Sequence, residues 1–228
     1  MTAVQQGDTD RFYEALYELS SRVGGPRTLS DGHPARWPVH VVLFFCEPGE
    51  TRPNGSHRVT RVDTHALTAK STNSLRQRLC THRGCVSGSR PGGGNHRASN
   101  FRMRVGTALL ARGQWPGGVR DSWRDKRADF SARDAEYLLE LAVTEHIGGM
   151  PFLWLSVPDR ADRAMIVRQA IALLSRRSGG VDPASPQWLG LAADVEKVRT
   201  SALWNVDHVD ETYDPTSLDT IERLVRSV

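Results

Sequence analysis

Arg78 and His82 have the spacing and the chemistry of residues that handle a phosphate group. They are four residues apart, so a helix places them on one face, one turn apart. At about 100° per residue, both flank an apolar stripe that contains Leu75 and Leu79. A guanidinium stabilises anionic oxygens, and an imidazole transfers protons near neutral pH. The pattern predicts that both side chains point into a site; the alternative is that Arg78 lies along the surface on its methylene stem.

Asp63 and His65 come shortly before this predicted helix, within the most basic stretch of the chain. Carboxylate and imidazole groups bind divalent cations and transfer protons. Two interpretations are open. In the first, Asp63, His65, His82 and His96 form a metal-binding or acid–base set. In the second, Asp63 forms a surface ion pair with Arg78 or with the arginine two residues before it, which is the more common arrangement.

Positive charge is concentrated in the segment that holds these residues. The 228-residue chain has 30 Lys+Arg and 26 Asp+Glu, a formal net charge of +4. The segment from Arg58 to Arg120 has 12 basic residues and one acidic residue, so it carries +11 and the rest of the chain −7. Such a segment favours polyanions such as DNA, because it neutralises phosphates and releases their counterions. The alternative is a solvated basic surface.

Several residues of this segment are candidates for contact with a nucleic acid or another anion. They are Arg61, Arg76, Arg83, Asn95, His96 and Arg97. The last three end a glycine-rich loop whose backbone amides can point at a phosphate, and the alternative is a simple connector. The sequence has neither a Walker-type nor a Rossmann-type glycine pattern, so we expect no nucleotide cofactor.

The composition is that of a globular protein. Hydrophobic residues make up 39% of the chain and charged residues 25%. The three cysteines, Cys46, Cys80 and Cys85, give no disulfide framework, so we expect a cytoplasmic protein. We expect no membrane span, because no apolar stretch approaches the roughly 20 residues that a bilayer-spanning helix needs. The N-terminus lacks the basic-then-apolar pattern of a signal peptide.

Apolar periodicity and turn residues divide the chain into helices and strands. A helix capped by Asp8 or Thr9 comes first, and a helix capped by Ser71 or Thr72 carries the arginine–histidine pair. A turn-rich span, residues 47–56, closes a hairpin between the first two strands. The predicted strands are residues 40–46, 57–64 and 151–157, and the further helices are residues 100–111, 132–147, 162–177, 194–200 and 216–225. This order predicts an α+β domain with a small, mostly antiparallel three-stranded sheet flanked by helices.

We expect three parts in the chain. Residues 1–36 form an N-terminal helix and connector, residues 37–180 form the core, and residues 181–228 form a C-terminal extension that packs on the core. Within the core, residues 84–131 form a loop and an irregular polar insertion with two tryptophans. Aromatic side chains between arginines can stack on bases, and the alternative is that they pack the insertion onto the domain.

The predicted order of elements and the motifs on them resemble the GIY-YIG nuclease superfamily, in particular a bacterial branch of it. The resemblance runs from about Pro38 to the end of the chain. The order and spacing of the motifs carry it, since each motif alone is a weak pattern. The matching stretches are VVLFFCEPGE (41–50), RVDTHAL (61–67), LRQRLCTHRG (75–84), GGGNHR (92–97) and IALLS (171–175), with LWN (203–205) and YDP (213–215) near the end.

The resemblance implies hydrolysis of a phosphodiester bond on a small sheet. In the family, tyrosines on the first two strands help to activate water, and an arginine on the first helix stabilises the phosphate. A glutamate on the last helix holds one divalent metal such as Mg²⁺. Arg78 matches the arginine, and His82 matches a histidine of the bacterial branch. Leu43 stands where the first tyrosine is expected, Asp63 where the second motif has glycine, and Val167 where the glutamate is expected.

Three functions are compatible with this pattern. The first is a divergent metal-dependent DNA endonuclease in which Asp63 or His65 replaces the absent groups. The second is a catalytically inactive DNA-binding relative. The third is a protein that acts on a small anionic molecule, with Asp63, Cys46 and His82 lining the former nuclease pocket. DNA is the expected partner in the first two.

Overall fold

A three-stranded antiparallel sheet lies at the centre of the computed structural model, which describes residues 3–31, 38–67, 74–85, 91–127 and 129–228. Its strands are β1 (Val41–Thr51), β2 (His57–Thr64) and β3 (Phe152–Ser156), in the order β2–β1–β3. β1 forms a hairpin with β2, and β3 pairs with the other edge of β1. The predicted fold class, α+β with a small antiparallel sheet flanked by helices, is confirmed.

Helices cover both faces of the sheet. In the described residues they are α1 (Ala3–Val23), α2 (Leu75–Arg83), α3 (Asn100–Arg112), α4 (Val119–Ser122), α5 (Phe130–Ala135), α6 (Tyr137–Gly148), α7 (Arg160–Leu174), α8 (Glu196–Ser201) and α9 (Ser217–Arg226). Short 3-10 turns form at Leu29–Asp31, His96–Ala98, Arg176–Ser178 and Leu189–Ala192. Of the helices described, none combines the length and the apolar character that a membrane span requires.

The two faces of the sheet pack against different helices, because successive side chains of a strand point to opposite sides. Leu43 and Phe45 of β1 face α2, α3 and α6, on the side that we call the α2 face. Val42 and Phe44 face α1, α7 and α9, on the side that we call the α7 face. Asp63 of β2 is the pairing partner of Leu43, so it lies on the α2 face.

Both ends of the chain contribute to these cores. Phe12 and Leu19 of α1 are fully buried on the α7 face. Trp188 and Trp204, from the C-terminal segment, are buried on the α2 face. The packing therefore extends across the predicted boundaries at residues 36 and 180, and the division into three parts stays a prediction.

The turn-rich span predicted at residues 47–56 is not a loop throughout. β1 continues through a Pro-Gly pair to Thr51 before the chain turns. The carboxylate of Glu50 accepts a hydrogen bond from Arg58 Nη2 at 2.6 Å and one from the backbone nitrogen of Ser185 at 3.1 Å. These partners hold the strand extended. A prediction from local turn propensity misses them, because Ser185 is distant from Glu50 in sequence.

The helix predicted over residues 132–147 is two helices, α5 and α6, that meet at Glu136. Leu138, in the first turn of α6, is 57% exposed. The buried stripe runs instead through Leu139 and Val143, because the break at the buried Glu136 sets a different face of α6 toward the core. The polar insertion before it is also less irregular than predicted, since α4 and the start of α5 lie within it.

Candidate functional site

The start of α2 fixes where its side chains point. The helix begins at Leu75 with Ser74 as its cap: Ser74 Oγ accepts a hydrogen bond from the backbone nitrogen of Gln77 at 3.2 Å, and the Gln77 side chain accepts one from the Ser74 nitrogen at 2.7 Å. The predicted caps, two and three residues earlier, lie outside the described residues. With Leu75 buried against the sheet, Arg78 and His82 both lie beside β2.

Asp63 lies at the centre of a buried ionic cluster. Its carboxylate accepts hydrogen bonds from Arg78 Nε to Oδ2 at 3.1 Å and from Arg78 Nη2 to Oδ1 at 2.8 Å. His82 Nε2 lies 2.8 Å from Oδ2, and Arg61 Nη2 lies 3.5 Å from Oδ1. The side chain of Asp63 is 6% exposed and that of Arg78 is 32% exposed. We call these four residues the Asp63 cluster; the ion pair is internal and not the surface contact that the sequence favoured.

His82 is fully buried within this cluster. Its Nε2 donates to Asp63, and its Nδ1 lies 3.2 Å from Ser99 Oγ, which donates in return. Burial lowers the pKa of His82 to about 4, since the charge of Asp63 is already matched by two arginines. The imidazole is therefore neutral at neutral pH and has no exposure to solvent.

The carboxylate of Asp63 is ionised. Burial alone raises its pKa, but the charges of Arg61 and Arg78 and the hydrogen bond from His82 hold the pKa of Asp63 well below its usual range. Arg61 is also buried, and burial lowers its pKa to about 10. Its guanidinium lies 4.3 Å from the centroid of the Phe101 ring. Arg61 is thus an interior group and not the surface contact for an anion that the sequence suggested.

Arg104 on α3 brings a third guanidinium to this region. Its charge, like that of Arg78, acts to lower the pKa of Arg61. Arg104 is half-buried, with Nη1 3.4 Å from the carbonyl oxygen of Trp204. Burial lowers the pKa of Arg104, and the charge of Asp207 opposes that shift. With His82 neutral, the charges of Arg61 and Arg78 exceed the single charge of Asp63, while Asp207 and Asp194 act on Arg104.

The sequence does carry a signal for Arg104, although it was not among the predicted site residues. Arg104 comes three residues after the buried Phe101 on α3, as Arg78 comes three residues after the buried Leu75 on α2. Both arginines therefore flank the buried stripe of their helix on the same side. Helical periodicity in the basic segment therefore predicts a position beside the apolar stripe for Arg104 as it does for Arg78.

The predicted set of one carboxylate and three histidines is not formed. His65 Nε2 donates to the carbonyl oxygen of Val39 at 2.9 Å, away from the Asp63 cluster. His96 is buried, with Nδ1 2.8 Å from Glu140 Oε1 and Nε2 2.7 Å from the carbonyl oxygen of Trp123. Across the described parts of the chain, no group of three or more His, Cys, Asp or Glu side chains is placed to hold a metal ion.

The glycine-rich loop holds its arginine inside the protein. Arg97 donates to both carboxylate oxygens of Glu136 at 2.7 and 2.8 Å and to the carbonyl oxygens of Ser122 and Asp125 at 3.0 and 2.8 Å. Asn95 caps the short turn that follows, accepting a hydrogen bond from the Arg97 nitrogen at 3.1 Å. These contacts join the loop to α4 and α5, so we assign no anion to Arg97 or to the buried His96.

The basic segment is not an open basic surface. Arg58 and Arg102 are buried, and each pairs at 2.6 Å with a carboxylate from outside the segment, Glu50 and Glu140 respectively. Together with the Arg97–Glu136 pair, such internal pairs neutralise three of the eleven net positive charges of the segment. The arginines of α2 and α3 that remain exposed or half-exposed include Arg76, Arg78, Arg83 and Arg104.

Comparison with known proteins identifies the class of this fold. The family model of the GIY-YIG domain matches residues 3–228, so the chain belongs to that family. The match begins well before Pro38, where the resemblance was expected to start, and includes α1. A GIY-YIG domain indicates a nuclease-like protein that acts on nucleic acid, and GIY-YIG nucleases are generally metal-dependent. Neither the curated proteins nor the solved structures give a significant match.

The side chains of this protein do not fit the metal position that the family implies. Val167, where the glutamate is expected, packs into the core on the α7 face, whereas Asp63 lies on the α2 face. Oδ1 of Asp63 accepts hydrogen bonds from Arg78 and from the backbone nitrogen of Thr64, and Oδ2 accepts them from Arg78 and His82, so a metal ion would have to displace these donors. Leu43, where the first tyrosine is expected, is fully buried.

Cys46 does not line the site. It packs with the hydrophobic residues of the α7 face, and burial raises the pKa of its thiol to about 12. A pocket that combines Asp63, Cys46 and His82, as one of the sequence interpretations required, is therefore not formed.

The buried imidazole makes stability depend on pH. The folded protein does not protonate His82 until about pH 4, whereas the unfolded chain does so near pH 6.5. The unfolded state therefore binds more protons in this range, and its free energy relative to the folded state falls as pH falls. We expect His82 to contribute a loss of about 3 kcal/mol between pH 6.5 and pH 4, measured by urea unfolding.

The control for this pH dependence is His82→Gln, which keeps an N–H donor toward Asp63 but does not titrate. Its free energy of unfolding is expected to change less than that of the natural protein over the same pH range. The loss of the charge of Asp63 is a separate effect, since its depressed pKa confines that loss to pH values below about 4. Parallel pH profiles for the two proteins would contradict a neutral His82.

Proposed function

We propose that the protein binds the phosphodiester backbone of DNA at Arg78. The observation that carries this proposal is the bidentate contact with the buried Asp63, which fixes the orientation of a partly exposed guanidinium. A guanidinium has five N–H donors, and Asp63 occupies two of them. The remaining donors suit phosphate oxygens, which arginine binds through charge-assisted hydrogen bonds.

Arg104 supports this proposal as a second cation. It lies on the helix next to α2, and the pKa of the buried Arg61 responds to the charges of both Arg78 and Arg104. Since the Asp63 cluster has two guanidiniums and one carboxylate, an anion placed outside it meets a net attraction. A DNA strand carries successive phosphates, so contacts with both arginines can form at once.

A divergent metal-dependent DNA endonuclease is the second candidate, and membership of the GIY-YIG family favours it. In this version Asp63 or His65 takes over the proton transfer. The oxygens of Asp63 are engaged by its cluster, and His65 donates Nε2 to a backbone carbonyl. Both groups would have to give up these contacts to act on a substrate, which is why we place binding first. A small anionic molecule at the same cluster is the remaining alternative.

We expect purified protein to bind duplex DNA with an affinity that falls with salt, because contacts with about two phosphates give a slope of log K against log salt near −2. We also expect supercoiled plasmid to stay intact in Mg²⁺ or Mn²⁺. Cleavage that is lost in Arg78→Gln would establish the endonuclease instead. DNA binding that does not respond to salt would contradict the proposal, and inorganic phosphate that saturates the protein without DNA binding would favour the small anion.

A further inference from the structure

A cavity of about 270 Å³ lies on the other edge of α2 from Arg78. It opens between the end of α2, α6 and the short turn Leu29–Asp31. Neither Asp63 nor His82 reaches it. Its lining residues are Ser30, Arg83, Cys85, Gly92, Thr144 and Gly148.

Arg83 gives this cavity an unmatched positive charge. The side chain is half-exposed, and among the described residues it has no ion pair or hydrogen bond. This contrasts with Arg97 and Arg102, which are paired with glutamates nearby. None of the described residues that line the cavity is acidic. A cation of this kind at a concave surface attracts an anion.

Hydroxyl groups provide further donors and acceptors. Thr144 Oγ1 accepts a hydrogen bond from Arg102 Nη2 at 2.9 Å, so the hydroxyl proton of Thr144 remains available to donate. Ser30 Oγ lies at the opposite wall, where it donates to the carbonyl oxygen of Gly148 at 3.2 Å. Arg102 also donates to the carbonyl oxygen of His82 at 2.7 Å, so one buried arginine connects the Asp63 cluster with this cavity.

Glycines bring the backbone close to the cavity. A Cβ atom on Gly84 would lie 2.5 Å from the carbonyl oxygen of Gly93 and 2.9 Å from Thr144 Oγ1. Gly92 has φ +78°, and a Cβ atom there would lie 2.8 Å from a methyl carbon of Leu141. Both positions are therefore closed to larger residues, and the described lining consists of backbone, two hydroxyls, the thiol of Cys85 and the guanidinium of Arg83.

We propose that this cavity binds a second phosphate group of the nucleic acid whose first phosphate contacts Arg78, and the proposal thus rests on the proposed function. Arg83 supplies the charge and Thr144 a hydroxyl donor. A free phosphate ion offers the same oxygens as the DNA backbone, so inorganic phosphate and duplex DNA are added in separate experiments.

Two cysteines allow occupancy of the cavity to be measured directly. Cys85 lines the cavity, and Cys80 is exposed on α2 outside it. Alkylation by iodoacetamide, followed by mass spectrometry of each cysteine, is carried out with no addition, with inorganic phosphate and with duplex DNA. With DNA at about ten times its Kd, we expect alkylation of Cys85 to slow about tenfold while Cys80 is little changed.

Two variants complete the test. Arg83→Gln is expected to abolish the protection of Cys85. The control is Arg22→Gln, which removes an exposed arginine of α1 that does not line the cavity, and it is expected to preserve the protection. Protection by DNA but not by phosphate supports a backbone phosphate, and protection by phosphate alone overturns the nucleic-acid assignment of the cavity. Equal protection of both cysteines, or protection that survives Arg83→Gln, also overturns the proposal. DNA binding that depends on Arg78 without any protection of Cys85 refutes this inference and leaves the proposed function standing.

Discussion

Asp63→Asn is expected to lower the free energy of unfolding by about 3–5 kcal/mol, the cost of removing one partner from a buried ion pair. The asparagine keeps the size of the side chain but removes the charge that faces Arg61 and Arg78. Arg61 is 6% exposed, so its guanidinium would stay in the interior without a counter-charge. Urea unfolding at pH 7 measures the difference.

The matched control for this variant is Asp219→Asn. Asp219 also pairs with an arginine, Arg11, but its side chain is 68% exposed. Exposed pairs contribute little, so we expect a loss below about 1 kcal/mol. An Asp63→Asn protein as stable as this control would show that the cluster does not depend on the charge of Asp63.

Arg78→Gln is expected to weaken DNA binding about tenfold, because a hydrogen bond to a charged group contributes about 1.5 kcal/mol. The glutamine removes the positive charge but retains an amide that can donate to Asp63. Arg78→Lys restores the charge without the planar fork and is expected to recover only part of the affinity. Fluorescence anisotropy with labelled duplex DNA gives the dissociation constants.

Two controls accompany this prediction. Arg22→Gln removes an equally exposed arginine that pairs with Glu18 on α1, on the opposite side of the sheet, and should leave the affinity unchanged. Urea unfolding of Arg78→Gln checks that the variant is folded under the binding conditions. If Arg22→Gln weakened binding as much as Arg78→Gln, the effect would reflect net charge and not a site at Arg78.

Features set by local geometry could be predicted from the sequence. The 3.6-residue period of a helix fixes the relation of Arg78 and His82 to the apolar stripe of α2, whatever the rest of the fold does. The same applies to β2, whose predicted and observed limits agree at His57–Thr64. Apolar periodicity and turn residues predicted the order of the remaining elements, and the family that this order and its motifs resemble is confirmed.

The partners of the buried charges could not be predicted in the same way. Arg97 pairs with Glu136 and Arg102 with Glu140, and each pair is separated by nearly forty residues. Counting charges along the chain assigns all these arginines to one basic segment, but packing of α6 against the segment neutralises two of them. This is why the net charge of the segment overstates the charge that a ligand meets.

The two faces of the sheet could be predicted only in part from the sequence. Strand alternation by itself puts Cys46 and Leu43 on opposite faces. The register that pairs Asp63 with Leu43, and so separates Asp63 from Cys46, is seen in the structure and was not predicted from the sequence. The sequence also did not indicate which helices cover each face. That Val167 lies on the α7 face, away from Asp63, depends on how α7 returns over the sheet after β3.

The salt dependence of DNA binding, measured for the natural protein and for Arg78→Gln, shows whether Arg78 contacts a backbone phosphate. Each phosphate that a cation neutralises contributes about −0.9 to the slope of log K against log salt. A contact between Arg78 and one phosphate therefore predicts that the slope for Arg78→Gln is smaller in magnitude by about 0.9, with Arg22→Gln unchanged. Equal slopes for the natural protein and Arg78→Gln would contradict a phosphate contact at Arg78.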